Sequence, residues 1–237
     1  MSKIKLFFIP HAGGSAMGYL VMKRYLDVTK IEPVPLELAG RGQRIKESCY
    51  TDITSCIKDL YQNLKPQIAE GDYAIFGHSL GALLSYELVQ YVRKKGDKLP
   101  VCIFFSGRIA PDADFPVSGI SAIEDEDEFL SQFGLFQPLP KEMLENKQIT
   151  KLMLPILRAD VTMAEEYQYQ KEKPLTQDIY IFHGENDILL TSEGIEAWNH
   201  ATTKQTTIVP FPGDHFYFKE NPKMVMERVN EVLLHYS

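Results

Sequence analysis

The stretch Tyr73–Leu88, YAIFGHSLGALLSYEL, sets an apolar run against a helical pattern and joins them through Gly77, His78, Ser79, Leu80 and Gly81. Its first four residues read as a strand, and Leu80, Leu83, Leu84, Leu88 and Tyr91 recur at helical spacing. A GxSxG turn between strand and helix presents a serine at the carboxyl end of a sheet, with little side-chain bulk on either side. The helix N-terminus places backbone N–H groups beside the hydroxyl, where negative charge develops on an attacked carbonyl. A serine is a poor nucleophile until a base takes its proton, so the stretch needs partners elsewhere in the chain.

Working outward, short apolar runs alternate with helical patterns, which predicts an α/β fold with a mostly parallel sheet flanked by helices. The expected strands are Ile4–Ile9, Pro33–Leu38, Tyr73–Phe76, Val101–Ser106, Ile179–His183 and Thr206–Phe211. Ile53, Ile57, Leu60, Leu64 and Ile68 mark one helix, and Val225, Val229, Val232, Leu233 and Tyr236 mark the last, with Asn221 as its cap and Pro222 in its first turn. The alternation lapses for about seventy residues after Ser106, too long for a bare loop, so a helical lid insertion at about 110–175 is expected within one domain spanning 1–237. The run Glu124–Glu128, EDEDE, reads as a solvated face or a first helical turn in preference to a metal or partner site.

The 237 residues are 44% hydrophobic and 24% charged, with a formal net charge of -7, which argues against a nucleic-acid surface. The apolar run at the N-terminus stops at Pro10, too short for a signal core, and reads as a first strand; no stretch reaches the length of a membrane span. Cys49, Cys56 and Cys102 form no CxxC pair, which fits reduced thiols and a cytoplasmic setting. A monomer is the default expectation.

A base and an orienting carboxylate should follow the serine in the order Ser, Asp or Glu, His. Of the six histidines, His215 in FPGDHFYF leaves the strand ending at Phe211 at the carboxyl edge of the sheet, where open α/β folds place their sites. Asp187 in IYIFHGENDILL leaves the preceding strand at the same edge, with Glu185 as its competitor. IPHAGGSA turns through Gly13 and Gly14 after the first strand. It reads as a helix entry, as a weak phosphate loop, or, with the serine downstream, as an oxyanion loop in which Ala12 and Leu80 supply backbone donors.

Together FIPHAGGSA, PLELAGRGQR, IFGHSLGALLSYEL, FHGENDILL and FPGDHFYF resemble the type II thioesterases, α/β-hydrolases that serve nonribosomal peptide and polyketide synthases. The resemblance runs over nearly the whole chain. It implies hydrolysis of misprimed or stalled acyl groups from the phosphopantetheine thioester of acyl or peptidyl carrier protein domains, with Ser79 as nucleophile, His215 as proton shuttle and Asp187 as its orienter. It implies no metal and no resident cofactor, because the prosthetic group belongs to the partner. Medium-chain acyl carrier protein hydrolases of fatty acid synthesis are relatives within that resemblance, and a general carboxylesterase is the broader alternative. Arg41 and Arg44 of GRGQR suit either a phosphate or an acidic carrier surface, or carboxylates that fix their own loop, and the second role is favoured. The apolar residues of Phe129–Leu157 would line the entrance or pack on the sheet.

Overall fold

The period-2 alternation of the strands decides how the molecule is layered. In a computed structural model describing residues 3–50 and 52–236, six strands form one sheet: β1 (Ile4–Ile9), β2 (Ile31–Pro35), β3 (Tyr73–His78), β4 (Cys102–Ser106), β5 (Asp178–Gly184) and β6 (Thr206–Phe211). All neighbours are parallel and the order is β2-β1-β3-β4-β5-β6. Register aligns Phe8, Phe76, Phe104 and Tyr180 across four strands, and the adjacent row aligns Phe7, Ile75, Ile103 and Ile179. The first row packs with Val225 and Val229, the second with Leu60, Leu64, Leu84 and Leu88. Both faces are therefore covered, as a parallel sheet requires.

The helices, in chain order, are α1 (Ala16–Leu20), α2 (Ile53–Ile68), α3 (Leu80–Lys95), α4 (Glu126–Gly134), α5 (Lys141–Glu145), α6 (Lys147–Glu165), α7 (Ser192–Glu196), α8 (Tyr217–Glu220) and α9 (Pro222–Leu234). Among the described residues, no helix is long and apolar enough to cross a membrane. Residues 107–177, between β4 and β5, carry α4, α5 and α6 and no strand of the sheet. The acidic run forms the start of α4: Asp125 Oδ1 accepts the Glu128 N–H at 2.9 Å, and Glu126, Asp127 and Glu128 occupy the first turn. Phe129, Leu130, Phe133, Leu154, Leu157 and Val161 form an apolar cluster belonging to this segment.

Two local expectations are corrected. The second strand is Ile31–Pro35 rather than Pro33–Leu38, because this edge strand pairs with β1 from Ile31 opposite Ile4 to Pro35 opposite Phe8. The Leu36 N–H donates to Phe8 O at 2.9 Å, so alternation turns Pro33 and Pro35 outward, where a missing N–H is tolerated. Asn221 does not cap α9 with its side chain; its Nδ2 donates to Pro212 O at 3.1 Å, while Pro222 does take the first helical position.

The strand order reverses at β1, which lies between β2 and β3. The crevice outside the carboxyl ends of β1 and β3 is the switch point where such sheets bind ligands. IPHAGGSA and the serine turn both emerge there.

Candidate active site

Ser79 sits between β3 and α3 with φ 54° and ψ −114°, the one non-glycine residue with positive φ among those described. Such a conformation costs about 1–3 kcal/mol for a residue with a Cβ and persists only where the surroundings hold it. They do: the Ser79 N–H donates to Ser106 O at 2.8 Å, and its carbonyl accepts from Ala82 N–H at 3.0 Å. The flanking glycines are demanded by space. A Cβ on Gly77 would lie 2.1 Å from Gly81 O, and one on Gly81 would lie 2.1 Å from Ile9 O.

His215, in the turn after β6, is buried, and its Nδ1 is 2.7 Å from Asp187 Oδ2. A carboxylate there makes Nδ1 the protonated nitrogen and leaves Nε2 as the basic one. Asp187 is buried too, and its other oxygen accepts the Leu189 N–H at 3.0 Å, which fixes the carboxylate. Its competitor Glu185 is exposed. Ser79 and His215 line one cavity of about 330 Å³ together with Ala12 and Leu80. Leu80 is the first residue of α3, so its N–H has no carbonyl one turn back to bond.

The remaining histidines are placed otherwise. His78 is buried, with Nδ1 2.8 Å from Ser106 Oγ, which is in turn 2.5 Å from the Tyr217 hydroxyl. His11 is buried, and its Nδ1–H donates to Ala12 O at 2.9 Å. Burial, with Lys219 nearby, lowers His11 to about 3, and burial with His215 beside it holds His78 well below the usual imidazole range. Both rings are therefore neutral packing groups of an aromatic cluster that includes Phe216 and Phe218. His183 lies in β5, while His200 and His235 are exposed.

GRGQR turns inward. Arg41 is buried and makes a two-pronged ion pair with Asp160 of α6, Nη1 to Oδ2 and Nη2 to Oδ1, each 2.7 Å. Asp160 Oδ2 also accepts the Gly13 N–H at 2.7 Å, and Arg41 Nη1 donates to Gly14 O at 3.2 Å. One buried pair therefore ties the 107–177 segment to the loop carrying Ala12. Arg44 bonds Asp59, Glu47 and the Glu37 carbonyl, so it too fixes its own loop.

A family model described as "Thioesterase domain" matches residues 4–233. The chain belongs to the thioesterase family. Among curated relatives of this thioesterase, GrsT, a gramicidin S biosynthesis protein of Aneurinibacillus migulanus, is 31% identical over 95% of the chain and 87% of its own. LgrE of Brevibacillus parabrevis, named a linear gramicidin dehydrogenase, is 35% identical over 99% of the chain and 89% of its own. The crystal structure of ClbQ, from the colibactin nonribosomal peptide and polyketide pathway, superposes with a TM-score of 0.93 at 33% identity, covering 99% of this chain and 98% of that one. The family and the six-stranded sheet agree with an α/β-hydrolase, a class of enzymes that includes those cleaving thioesters.

Sequence reasoning passed over two residues of this thioesterase. Asp160 stands on the stripe formed by Leu154, Leu157 and Val161, and an acid on a buried stripe signals a partner elsewhere. Arg108 follows β4 in FFSGRIAP and lines the same cavity as Ser79. A lone cation at the carboxyl end of a central strand was the available signal.

Proposed function

We propose that the protein is a type II thioesterase that clears misprimed or stalled acyl groups from the phosphopantetheine thioesters of carrier protein domains in a nonribosomal peptide or polyketide synthase. The observation that carries this reading is the Asp187–His215 pair at 2.7 Å beside a cavity that the backbone-constrained Ser79 also lines. Relatives named for gramicidin S and colibactin pathways support the synthase setting.

In this reading His215 Nε2 takes the Ser79 proton as Oγ bonds the thioester carbon, while Asp187 stabilises the imidazolium. The N–H groups of Ala12 and Leu80 face the oxyanion. Collapse breaks the carbon–sulfur bond, and the imidazolium proton goes to the departing thiolate. Water then gives its proton to His215 as its oxygen attacks the acyl carbon, and the same proton returns to Ser79 Oγ as the acid is released. No resident cofactor takes part; the pantetheine arm enters on the partner. Three unpaired thiols, Cys49, Cys56 and Cys102, support a reducing compartment such as the cytoplasm, and the chain acts as a monomer with the 107–177 segment as its lid.

Incubation with acetyl-loaded carrier, followed by mass spectrometry of the carrier, tests the reading. Wild type strips the acyl group, and Ser79→Ala slows the loss by at least about 1,000-fold. Release by the variant at the wild-type rate overturns the mechanism. Turnover of a small oxygen ester well above that of loaded carrier at matched concentration overturns the substrate.

A further inference from the structure

Arg108 presents a charge without a counter-charge. Its residue is 7% exposed, and burial pushes the guanidinium down to about 10, so it remains positive at neutral pH. Among the described residues, no carboxylate forms an ion pair with it and no acceptor bonds its side chain; its neighbour is the Phe115 ring, 4.0 Å from Cζ. A guanidinium on a mostly apolar cavity wall is disfavoured unless an anion or a set of acceptors meets it. The carboxylates near this cavity do not serve. Asp112 and Asp114 are exposed at its rim, Glu165 is held by the N–H groups of Ile120 and Ser121, and Glu87 accepts from the Tyr167 hydroxyl at 2.7 Å.

The position is informative. Ser106 O receives the Ser79 N–H, and Arg108 lies two residues on, at most about 7.6 Å of Cα path. Ser79 and Arg108 both line the cavity, whose other walls include Phe115, Val117, Phe133 and Val161. A mostly apolar cleft with one cation near the nucleophile, whose lining carboxylates Asp112 and Asp114 are exposed and Glu165 is already bonded, is shaped for a short chain ending in an anion. The phosphate of a pantetheine arm sits at the far end of that arm from the sulfur, away from the reacting carbon. A carboxylate borne by the acyl chain itself enters the cavity that Arg108 lines.

We propose that Arg108 is a specificity residue that receives the free carboxylate of a dicarboxylic acyl group, so that this thioesterase favours carboxyacyl thioesters over their uncharged counterparts. The proposal rests on the thioesterase reading above. The guanidinium would bond both carboxylate oxygens while the thioester carbonyl lies at Ser79, and Phe115 would hold the guanidinium plane.

The test uses succinyl and butyryl thioesters of N-acetylcysteamine, which carry no phosphate, and the same two acyl groups loaded on carrier protein, with wild type, Arg108→Met and Arg108→Lys. Wild type should favour the succinyl thioester, and Arg108→Met should lower its kcat/KM by at least about tenfold while leaving the butyryl value within about twofold. Arg108→Lys should recover part of the loss, through KM. Equal loss on both substrates assigns Arg108 to structure and overturns the proposal. A loss seen only with carrier-bound substrates, indifferent to the acyl group, assigns it to the arm's phosphate and equally overturns it. If wild type hydrolyses neither small thioester nor loaded carrier, the thioesterase reading itself fails, a result separate from either of these.

Discussion

The sheet and the segment 107–177 are held by different chemistry. In the sheet, rows such as Phe8, Phe76 and Phe104 are wholly buried against α9, so cohesion comes from apolar area and from strand hydrogen bonds. The segment has a smaller apolar cluster and is fastened by directional bonds: Arg41 to Asp160, Arg158 to the Ile123 carbonyl at 2.6 Å, and Glu165 to the Ile120 and Ser121 N–H groups. Apolar burial tolerates small shifts, whereas a two-pronged ion pair has one geometry. Because Asp160 also takes the Gly13 N–H, the position of α6 and the shape of the loop carrying Ala12 are set by the same carboxylate.

The sharpest way to break that contrast is Asp160→Ala, which strands a buried guanidinium and frees the Gly13 N–H. It should cost about 3–5 kcal/mol in urea unfolding. The double variant Arg41→Met/Asp160→Leu should regain most of that stability while thioester turnover stays low, because the Gly13 N–H remains without its acceptor. Full recovery of turnover in the double variant would show that α6 does not set the loop.

A smaller effect separates the neutral histidines from the ion pair. Above pH 6.5 His11 is neutral in both the folded and unfolded chain; below it the unfolded chain takes a proton that the folded one, titrating at about 3, refuses. Stability should therefore fall as pH drops from 6.5, with a limiting slope of about 1.4 kcal/mol per pH unit for each such histidine. His78 acts in the same direction. Unfolding measured from pH 7 to 5 should show this decline, and His11→Phe should reduce its slope.

The smallest expected change concerns the serine turn. Ser79→Gly removes the cost of a positive φ, so it should raise stability by roughly 1 kcal/mol while abolishing turnover. A thermal melt compared with wild type reads the first effect, and an acyl-release assay reads the second. A destabilised Ser79→Gly would mean that the serine side chain, rather than its neighbours, holds the turn.

Much of this architecture was legible in the sequence because it is local. Strand and helix periods placed five strands within a few residues, and turn glycines marked the loops at the carboxyl edge. The second strand was misplaced because prolines at 33 and 35 look like a strand entry when the edge position that tolerates them is unknown. The Asn221 cap was misjudged because the competing acceptor, Pro212 O, lies in another turn.

What the sequence by itself determined is the order of the α/β alternation, the strand–serine–helix turn, and the emergence of Asp187 and His215 from successive strands, all consequences of short-range pattern. The tertiary structure alone decided that Arg41 meets Asp160 across 119 positions, that His11 and His78 are neutral, and that Arg108 lines the cavity beside the Phe115 ring with no counter-charge among the described residues. These depend on which groups burial brings together, and desolvation energies belong to that arrangement rather than to any residue's neighbours in the chain.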